Sequence, residues 1–185
     1  MGDRAIRPGT PAVVVTISDG VAAGIREDRS GAVLEARLVA LGFAVARRVV
    51  PDEIAAIQAA LREAAVDARL VVTTGGTGLT PRDVTPQATA AVLDYPVPGL
   101  AEAMRAAGRA TTPLADLSRG LVGVLGRSLV VNVPGSPAAA RESLAAIEPA
   151  LAHALETLAG PFDHDTGARQ ASGAVRYDRP EEDTR

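Results

Sequence analysis

Three short apolar runs alternate with two segments of helical periodicity in the first half of the chain, and this order limits the possible folds more than any other feature. The runs span residues 12–17, 43–50 and 70–73, and Arg47 and Arg48 interrupt the second of them. The first is nearly continuous in apolar residues, which predicts a strand buried on both faces. Between the runs, apolar residues recur at the spacing of one helix face, as at Leu34, Leu38 and Leu41. A β-α-β-α-β order with short connections predicts parallel strands joined by right-handed crossovers.

The second half of the chain predicts a hairpin and further helices. Residues 121–125 and 128–133, separated by Gly126-Arg127, are typical of two antiparallel strands, so we expect a mixed sheet in an α/β fold. Thr85-Pro86 and Ser136-Pro137 each predict an N-cap followed by a first-turn proline. The long final helix carries an apolar stripe of Leu144, Ile147, Leu151, Leu155 and Leu158.

The 185 residues suit a single domain with flanking segments. We expect a flexible leader over residues 1–11, a folded domain over residues 12–159, and a disordered tail over residues 160–185. In that last segment, glycine, arginine and acidic residues replace the apolar stripe.

Composition excludes several classes of function. All 19 basic residues are arginine, so the lysine of a P-loop is missing, and the absence of cysteine removes thiolate chemistry and disulfides. A net charge of −3 and an aromatic content of 2% do not favour a nucleic-acid partner. No run approaches the roughly 20 apolar residues of a membrane helix, so we expect a cytoplasmic protein with no membrane partner.

A glycine-rich loop follows the third apolar run. Gly75, Gly76, Thr77 and Gly78 come where a buried strand is expected to end, and glycines allow backbone N–H groups to approach an anion. The segment is therefore a candidate phosphate-binding loop, although an ordinary strand-to-loop turn explains the same residues equally well. The G-x-G-x-x-G pattern of a dinucleotide site is absent.

Two aspartates are expected near that loop. Asp83 lies at its far end, and Asp52 follows the second strand, so the carboxyl ends of parallel strands bring both to one sheet edge. Paired carboxylates completed by water and substrate phosphates suit Mg²⁺. Alone, Asp83 is better explained by a solvated turn, and Asp52 by an acid placed near a helix N-terminus.

The remaining candidates are weaker. Ser18 and Asp19 end the first strand and either contact a ligand or close a turn. Ser118 and Arg119 are candidates for holding a phosphate, since arginine donates in a planar fork, but a solvated arginine is the alternative. Asn132, Gly135 and Ser136 place N–H groups at a helix N-terminus, where anions bind, although helix capping also explains them. The two histidines, His153 and His164, form no catalytic or metal-binding pattern.

Taken together and in order, the motifs resemble one family. They are Thr16-Ile17-Ser18-Asp19, Asp28-Arg29-Ser30-Gly31, Pro51-Asp52-Glu53, Thr74-Gly75-Gly76-Thr77-Gly78, Pro81-Arg82-Asp83-Val84-Thr85-Pro86, Pro98-Gly99-Leu100, Leu117-Ser118-Arg119-Gly120 and Asn132-Val133-Pro134-Gly135-Ser136-Pro137. This set, spread over residues 12–158, resembles the MogA/MoaB family of molybdenum cofactor biosynthesis proteins.

The resemblance implies a three-layer α/β/α domain, the molybdopterin-binding fold, with a mostly parallel mixed sheet, assembled as a homotrimer. It implies adenylyl transfer from Mg-ATP to molybdopterin, giving adenylated molybdopterin and pyrophosphate, with hand-over to a molybdate-insertion protein. Asp52 and Asp83 match the functional aspartates and candidate Mg²⁺ ligands. The pterin and nucleotide motifs are matched by Ser18, Asp19, Gly75, Gly76, Thr77, Gly78, Ser118, Arg119, Asn132, Pro134, Gly135 and Ser136.

Two positions depart from the family pattern. Gln87 stands where acid is common, and Gly20 stands where threonine or arginine is common. Neither change touches the aspartate pair. Two other functions stay open at this point: a non-catalytic molybdopterin carrier, and a hydrolase or regulatory protein on the same fold, as in the competence-damage-inducible family.

Overall fold

The computed structural model describes residues 6–160. Within them the strands are β1 (Thr10–Ile17), β2 (Phe43–Val50), β3 (Leu70–Thr74), β4 (Tyr95–Pro96), β5 (Val122–Leu125) and β6 (Ser128–Val133). The helices are α1 (Asp19–Ala22), α2 (Arg29–Ala40), α3 (Ile54–Asp67), α4 (Thr85–Ala90), α5 (Pro98–Arg109) and α6 (Pro137–Ala159), with a 3-10 helix at Pro113–Leu117.

The strands form one mixed sheet in the order β2-β1-β3-β6-β5-β4. Strands β2, β1, β3 and β6 are parallel, whereas β5 is antiparallel to both β6 and β4. The predicted hairpin and mixed sheet are therefore confirmed. Thr74 at the end of β3 pairs with Thr16 of β1 and Val133 of β6, so the carboxyl ends of these strands meet at one edge.

Helices cover both faces of the sheet. One apolar cluster joins Val14 of β1 to Leu34 of α2, Met104 of α5 and Leu144 of α6. The neighbouring β1 residue Val15 belongs to a second cluster, whose helical members include Ile57, Leu61 and Ala88 of α3 and α4. Because successive strand residues point to opposite faces, one strand supplies both cores. This is the expected three-layer α/β/α arrangement.

In the Asp28-Arg29-Ser30-Gly31 motif, the Asp28 side chain has a structural role. Its carboxylate caps α2 by accepting from the Gly31 N–H (2.8 Å) and also accepts from the Thr16 hydroxyl (2.9 Å). Arg47 of β2 forms an ion pair with the same carboxylate. The motif therefore ties the start of α2 to two strands.

Several local details differ from the sequence prediction. Strand β1 begins at Thr10, and the Gly9 N–H donates to the Gly42 carbonyl oxygen (2.9 Å), so the end of the expected leader is held in place. The rest of that leader, residues 1–5, and the expected tail from residue 161 onward lie outside the described residues. Helix α4 is capped at Val84 rather than Thr85. Over residues 6–160, no helix combines the length and apolar character needed to cross a membrane.

Candidate active site

The glycine loop leaves β3 in a backbone conformation that requires glycine. Gly75 and Gly76 have φ values of +105° and +62°, which residues with side chains rarely adopt. A Cβ on Gly75 would lie 2.3 Å from the Ile17 carbonyl oxygen, and one on Gly76 would lie 2.4 Å from the Thr85 hydroxyl and 3.4 Å from Asp52 Oδ1. The loop therefore passes directly over the end of β1 and beside Asp52.

Hydrogen bonds from two threonines fix this loop. The Thr85 hydroxyl, expected to cap α4, instead donates to the Gly75 carbonyl oxygen (2.9 Å). The Thr74 hydroxyl donates to the Pro134 carbonyl oxygen (2.8 Å), and a Cβ on Gly135 would lie 3.2 Å from Gly75 Cα. The loop after β6 thus packs against the glycine loop, as the shared sheet edge predicts.

Two reciprocal hydrogen bonds join Asp52, just after β2, to Asp19, just after β1. The Asp19 N–H donates to Asp52 Oδ2 (2.9 Å), and the Asp52 N–H donates to Asp19 Oδ1 (3.0 Å). Ser18 caps α1 by accepting from the Val21 N–H (3.3 Å). Burial, followed by the negative charge of Asp83, raises the pKa of Asp52 above its usual value, while Arg26 acts in the opposite direction.

The surroundings of Asp83 shift its pKa in the opposite direction, downward. Burial alone would raise its pKa, but hydrogen bonds from the Thr80 hydroxyl and N–H and from the Gly78 N–H outweigh burial, and Arg119 adds a positive charge. The pKa of Asp83 therefore lies below its usual value. Both Thr80 bonds, at 2.7 Å and 2.8 Å, end on Oδ2. One carboxylate is thus held ionised beside a second whose ionisation is disfavoured.

This carboxylate pair fits a divalent cation. Asp52 and Asp83 repel each other, and a cation between their oxygens would relieve the repulsion that raises the pKa of Asp52. Within residues 6–160, no group of three or more His, Cys, Asp or Glu residues is arranged to hold a metal. A Mg²⁺ ion held by Asp52 and Asp83 would therefore complete its shell with water and substrate phosphate oxygens, as Mg²⁺ usually does.

Arg119 stabilises the glycine loop through three hydrogen bonds. Its Nε donates to the Gly78 carbonyl oxygen (2.7 Å), its Nη2 donates to the Asp83 carbonyl oxygen, and its backbone N–H donates to the Thr77 carbonyl oxygen (3.0 Å). The neighbouring Ser118 accepts from the Gly120 N–H (3.4 Å). A phosphate contact by either residue stays a prediction, since the contacts of the Arg119 side chain position the loop.

Asn132 is fully buried, and its side chain joins structural elements. Both amide protons are donated within the core, to the hydroxyls of Thr73 (2.9 Å) and Thr89 (3.0 Å), and Oδ1 accepts from the Leu121 N–H (3.2 Å). The side chain therefore connects β3, β6 and α4 beneath the site. Ser136 caps α6 by accepting from the Ala139 N–H (3.4 Å), as expected.

A cavity of about 410 Å³ opens beside the glycine loop, between α5, α6 and the 3-10 helix. Thr77, Gly78, Ser118, Asn132 and Pro134 line its side toward the loop. Its other walls include Met104, Arg105 and Glu142, which the sequence does not mark as site residues. They lie on helix faces whose local pattern is that of ordinary amphipathic helices, and only helix packing brings them together.

Comparisons with known proteins agree on one family. Residues 13–153 match the family described as "Probable molybdopterin binding domain". The "Molybdenum cofactor biosynthesis bifunctional protein" of Synechococcus elongatus is 45% identical over 85% of this chain, and the chain spans about half of that relative's length (50%). The "Molybdopterin adenylyltransferase" of Escherichia coli K12 is 38% identical over 74% of this chain and 73% of its own.

A solved structure gives the same result. The "Molybdopterin biosynthesis enzyme MoaB" of Thermus thermophilus is 47% identical, covers 82% of this chain and 98% of its own, and superposes with a TM-score of 0.75. The match takes in the three-layer fold, and the family match over residues 13–153 takes in Asp52, Asp83 and the glycine loop. The chain belongs to the MogA/MoaB family of molybdenum cofactor biosynthesis proteins.

Proposed function

We propose that the protein transfers the adenylyl group of ATP to molybdopterin. An oxygen of the terminal phosphate of molybdopterin forms a bond to the α-phosphorus of ATP. The bond from that phosphorus to the bridging oxygen breaks, and pyrophosphate leaves with the electron pair. The observation that carries the proposal is the Asp52 and Asp83 pair, whose pKa values are shifted in opposite directions, beside a glycine loop that leaves β3 at positive φ.

The residues act by positioning and by charge compensation. Bringing two phosphorylated molecules together requires the neutralisation of their charges, and no protein nucleophile is needed. When bound, Mg²⁺ supplies positive charge to the phosphates, and Asp52 and Asp83 hold it. The backbone N–H groups of Gly76 and Thr77 contact phosphate oxygens, whereas those of Gly75 and Gly78 donate to the Val133 carbonyl oxygen (3.3 Å) and to Asp83. Arg119 keeps that loop rigid.

The cavity beside the loop suits the pterin end of the acceptor. Its volume of about 410 Å³ lies within the range of small-molecule sites, and its Thr77–Gly78 wall adjoins the phosphate region. Glu142 is a carboxylate on the helical side of the cavity, and its Oε1 accepts from the Thr111 hydroxyl (2.6 Å). The Arg105 guanidinium donates to the Gly120 carbonyl oxygen (3.3 Å). We place the pterin in this cavity and the nucleotide on the Asp52 side of the loop.

We also propose that the chain acts as a homotrimer and passes the adenylated product to a molybdate-insertion protein. Family membership supports both statements. Light scattering on the purified protein checks the first, with a mass of about three times 18.8 kDa expected. A mass of one chain contradicts it.

The variant Asp83→Asn tests the proposed chemistry. The wild-type protein, incubated with molybdopterin, ATP and Mg²⁺, is expected to form adenylated molybdopterin, resolved by chromatography. Asp83→Asn removes a cation ligand and is expected to lower the turnover by about 100-fold or more, the usual cost of losing an electrostatic group at a phosphate site. Molybdopterin binding should be retained.

Arg48→Ala provides a control, because this arginine is exposed and pairs only with Glu63 among the described residues. It should turn over at the wild-type rate. Wild-type protein that binds molybdopterin but forms no product would overturn adenylyl transfer in favour of a carrier. Normal turnover by Asp83→Asn would overturn the role given to Asp83.

A further inference from the structure

Arg26 lies across the backbone at Gly20, next to the reciprocal Asp19–Asp52 bonds. Its Nε is 2.9 Å from the position that a Cβ on Gly20 would take, so any other residue at position 20 would displace the guanidinium. The Arg26 N–H donates to the Gly20 carbonyl oxygen (2.9 Å), which fixes the start of the side chain. Among residues 6–160, Arg26 forms no ion pair within salt-bridge distance. The missing side chain of Gly20 therefore makes room for a positive charge beside Asp52.

Arg82 approaches the same place from the other side. It precedes Asp83 at the end of the glycine loop and forms an ion pair with Asp19 Oδ2, while Asp19 Oδ1 accepts from the Asp52 N–H. The side chains of Arg82 and Asp19 are 66% and 46% exposed, so water reaches the pair. Such an exposed ion pair contributes little to stability. Replacing Asp19 by a phosphate oxygen as the partner of Arg82 therefore costs little.

We propose that Arg26 and Arg82 form a two-arginine clamp for the polyphosphate of a nucleotide at the outer rim of the Asp52–Asp83 site. This inference rests on the proposed function and adds two residues to it. Arg26 contributes a guanidinium that has no carboxylate partner among the described residues, and Arg82 exchanges Asp19 for a phosphate oxygen. Neither arginine lines the cavity, so the clamp belongs to the Asp52 side of the loop, where we place the β- and γ-phosphates of ATP.

The charges at the rim of the site support the proposed arginine clamp. The rim holds three carboxylates, Asp19, Asp52 and Asp83, so without cations it repels a polyphosphate. Arg119 places a positive charge near Asp83, but its side chain already donates to the carbonyl oxygens of Gly78 and Asp83, so its guanidinium is engaged with the loop rather than with a phosphate. Arg26 and Arg82 are the exposed cations next to these carboxylates, and a guanidinium donates two parallel bonds to phosphate.

Inorganic tripolyphosphate tests the clamp without a nucleotide base or a pterin. Its affinity in the presence of Mg²⁺ is measured by calorimetry for the wild type, Arg26→Ala and Arg82→Ala. Each substitution is expected to weaken binding about tenfold, since each removes charge-assisted hydrogen bonds to phosphate. Arg82→Lys keeps the positive charge but loses the planar guanidinium, so its affinity should lie between those of Arg82→Ala and the wild type. Arg48→Ala should bind like the wild type.

Gly20→Ala gives an independent variant that keeps every charge. The φ of Gly20 is not in the left-handed region, so alanine is compatible with the backbone, but the new Cβ crowds Arg26 Nε. We expect weaker tripolyphosphate binding at an unchanged unfolding temperature. A purely structural role for Arg26 would instead shift the unfolding temperature and leave the affinity alone.

The outcomes separate this inference from adenylyl transfer. Unchanged affinity in Arg26→Ala and Arg82→Ala, or no tripolyphosphate binding by the wild type, overturns the clamp even if adenylated molybdopterin is formed. Tenfold losses in both variants support the clamp even if the wild type makes no product, and that combination overturns adenylyl transfer instead.

Discussion

Asn132 is the buried residue whose replacement tests most sharply how the site is supported. Its carboxamide is 0% exposed and makes three hydrogen bonds, to Thr73, Thr89 and the Leu121 N–H. Asn132→Ala removes all three while leaving the backbone of β6 intact. If the side chain is a structural connector, the substitution should destabilise the fold and leave the affinity for Mg-ATP nearly unchanged.

The expected loss of stability follows from these contacts. The two bonds to threonine hydroxyls contribute roughly 1 kcal/mol each, and an unpaired Leu121 N–H costs about 1–3 kcal/mol. Asn132→Ala should therefore lower the free energy of unfolding by about 4 kcal/mol. Thr89→Val removes one of the same bonds, so in the double variant the two losses should overlap by about 1 kcal/mol.

Urea unfolding of the two single variants and the double variant gives these values. Calorimetry with Mg-ATP at low temperature, where the variants stay folded, should give affinities within about twofold of the wild type. Additive losses would contradict the coupling of Asn132 to Thr89. A loss below about 1 kcal/mol combined with much weaker nucleotide binding would show that Asn132 acts on the ligand rather than on the fold.

Four further substitutions test other parts of the structure. Gly75→Ala places a Cβ 2.3 Å from the Ile17 carbonyl oxygen at a φ of +105°, so urea unfolding should show a loss of about 3 kcal/mol or more. Pro149→Ala restores an N–H inside α6, and urea unfolding should show a gain of about 1–3 kcal/mol. The raised pKa of Asp52 means that its ionised form costs stability once the pH rises through that pKa, so Asp52→Asn should raise the melting temperature at pH 7 but not at low pH. Asp83, with a lowered pKa, contributes stability above its usual pKa that is lost as pH falls, so Asp83→Asn should lower the melting temperature at pH 7, with the difference disappearing in acid.

The fold follows from the sequence wherever one local pattern decides the outcome. The apolar run at Ala12 to Ile17 is buried throughout, and β5 and β6 form the hairpin that the residues around Gly126-Arg127 predict. Parallel strand order alone brings Asp52 and the glycine loop to one edge, which is why this juxtaposition is predictable.

Other details depend on long-range contacts. Thr85 has the sequence of an N-cap, but its hydroxyl bonds to Gly75, ten residues earlier in the chain, and Val84 takes the cap position. Strand β4 has only two residues, Tyr95 and Pro96, too few for a periodic signal. The approach of Arg26 to Gly20 depends on how the loop between α1 and α2 folds back, and neither residue alone indicates it.

The fate of the α-phosphorus of ATP tests the central claim most directly. ATP labelled at that position is incubated with the protein, molybdopterin and Mg²⁺, and the products are separated. Adenylyl transfer predicts one label per pterin in the product and unlabelled pyrophosphate, with both abolished in Asp83→Asn. Label that remains in ATP, or that appears only as free AMP, would contradict the account.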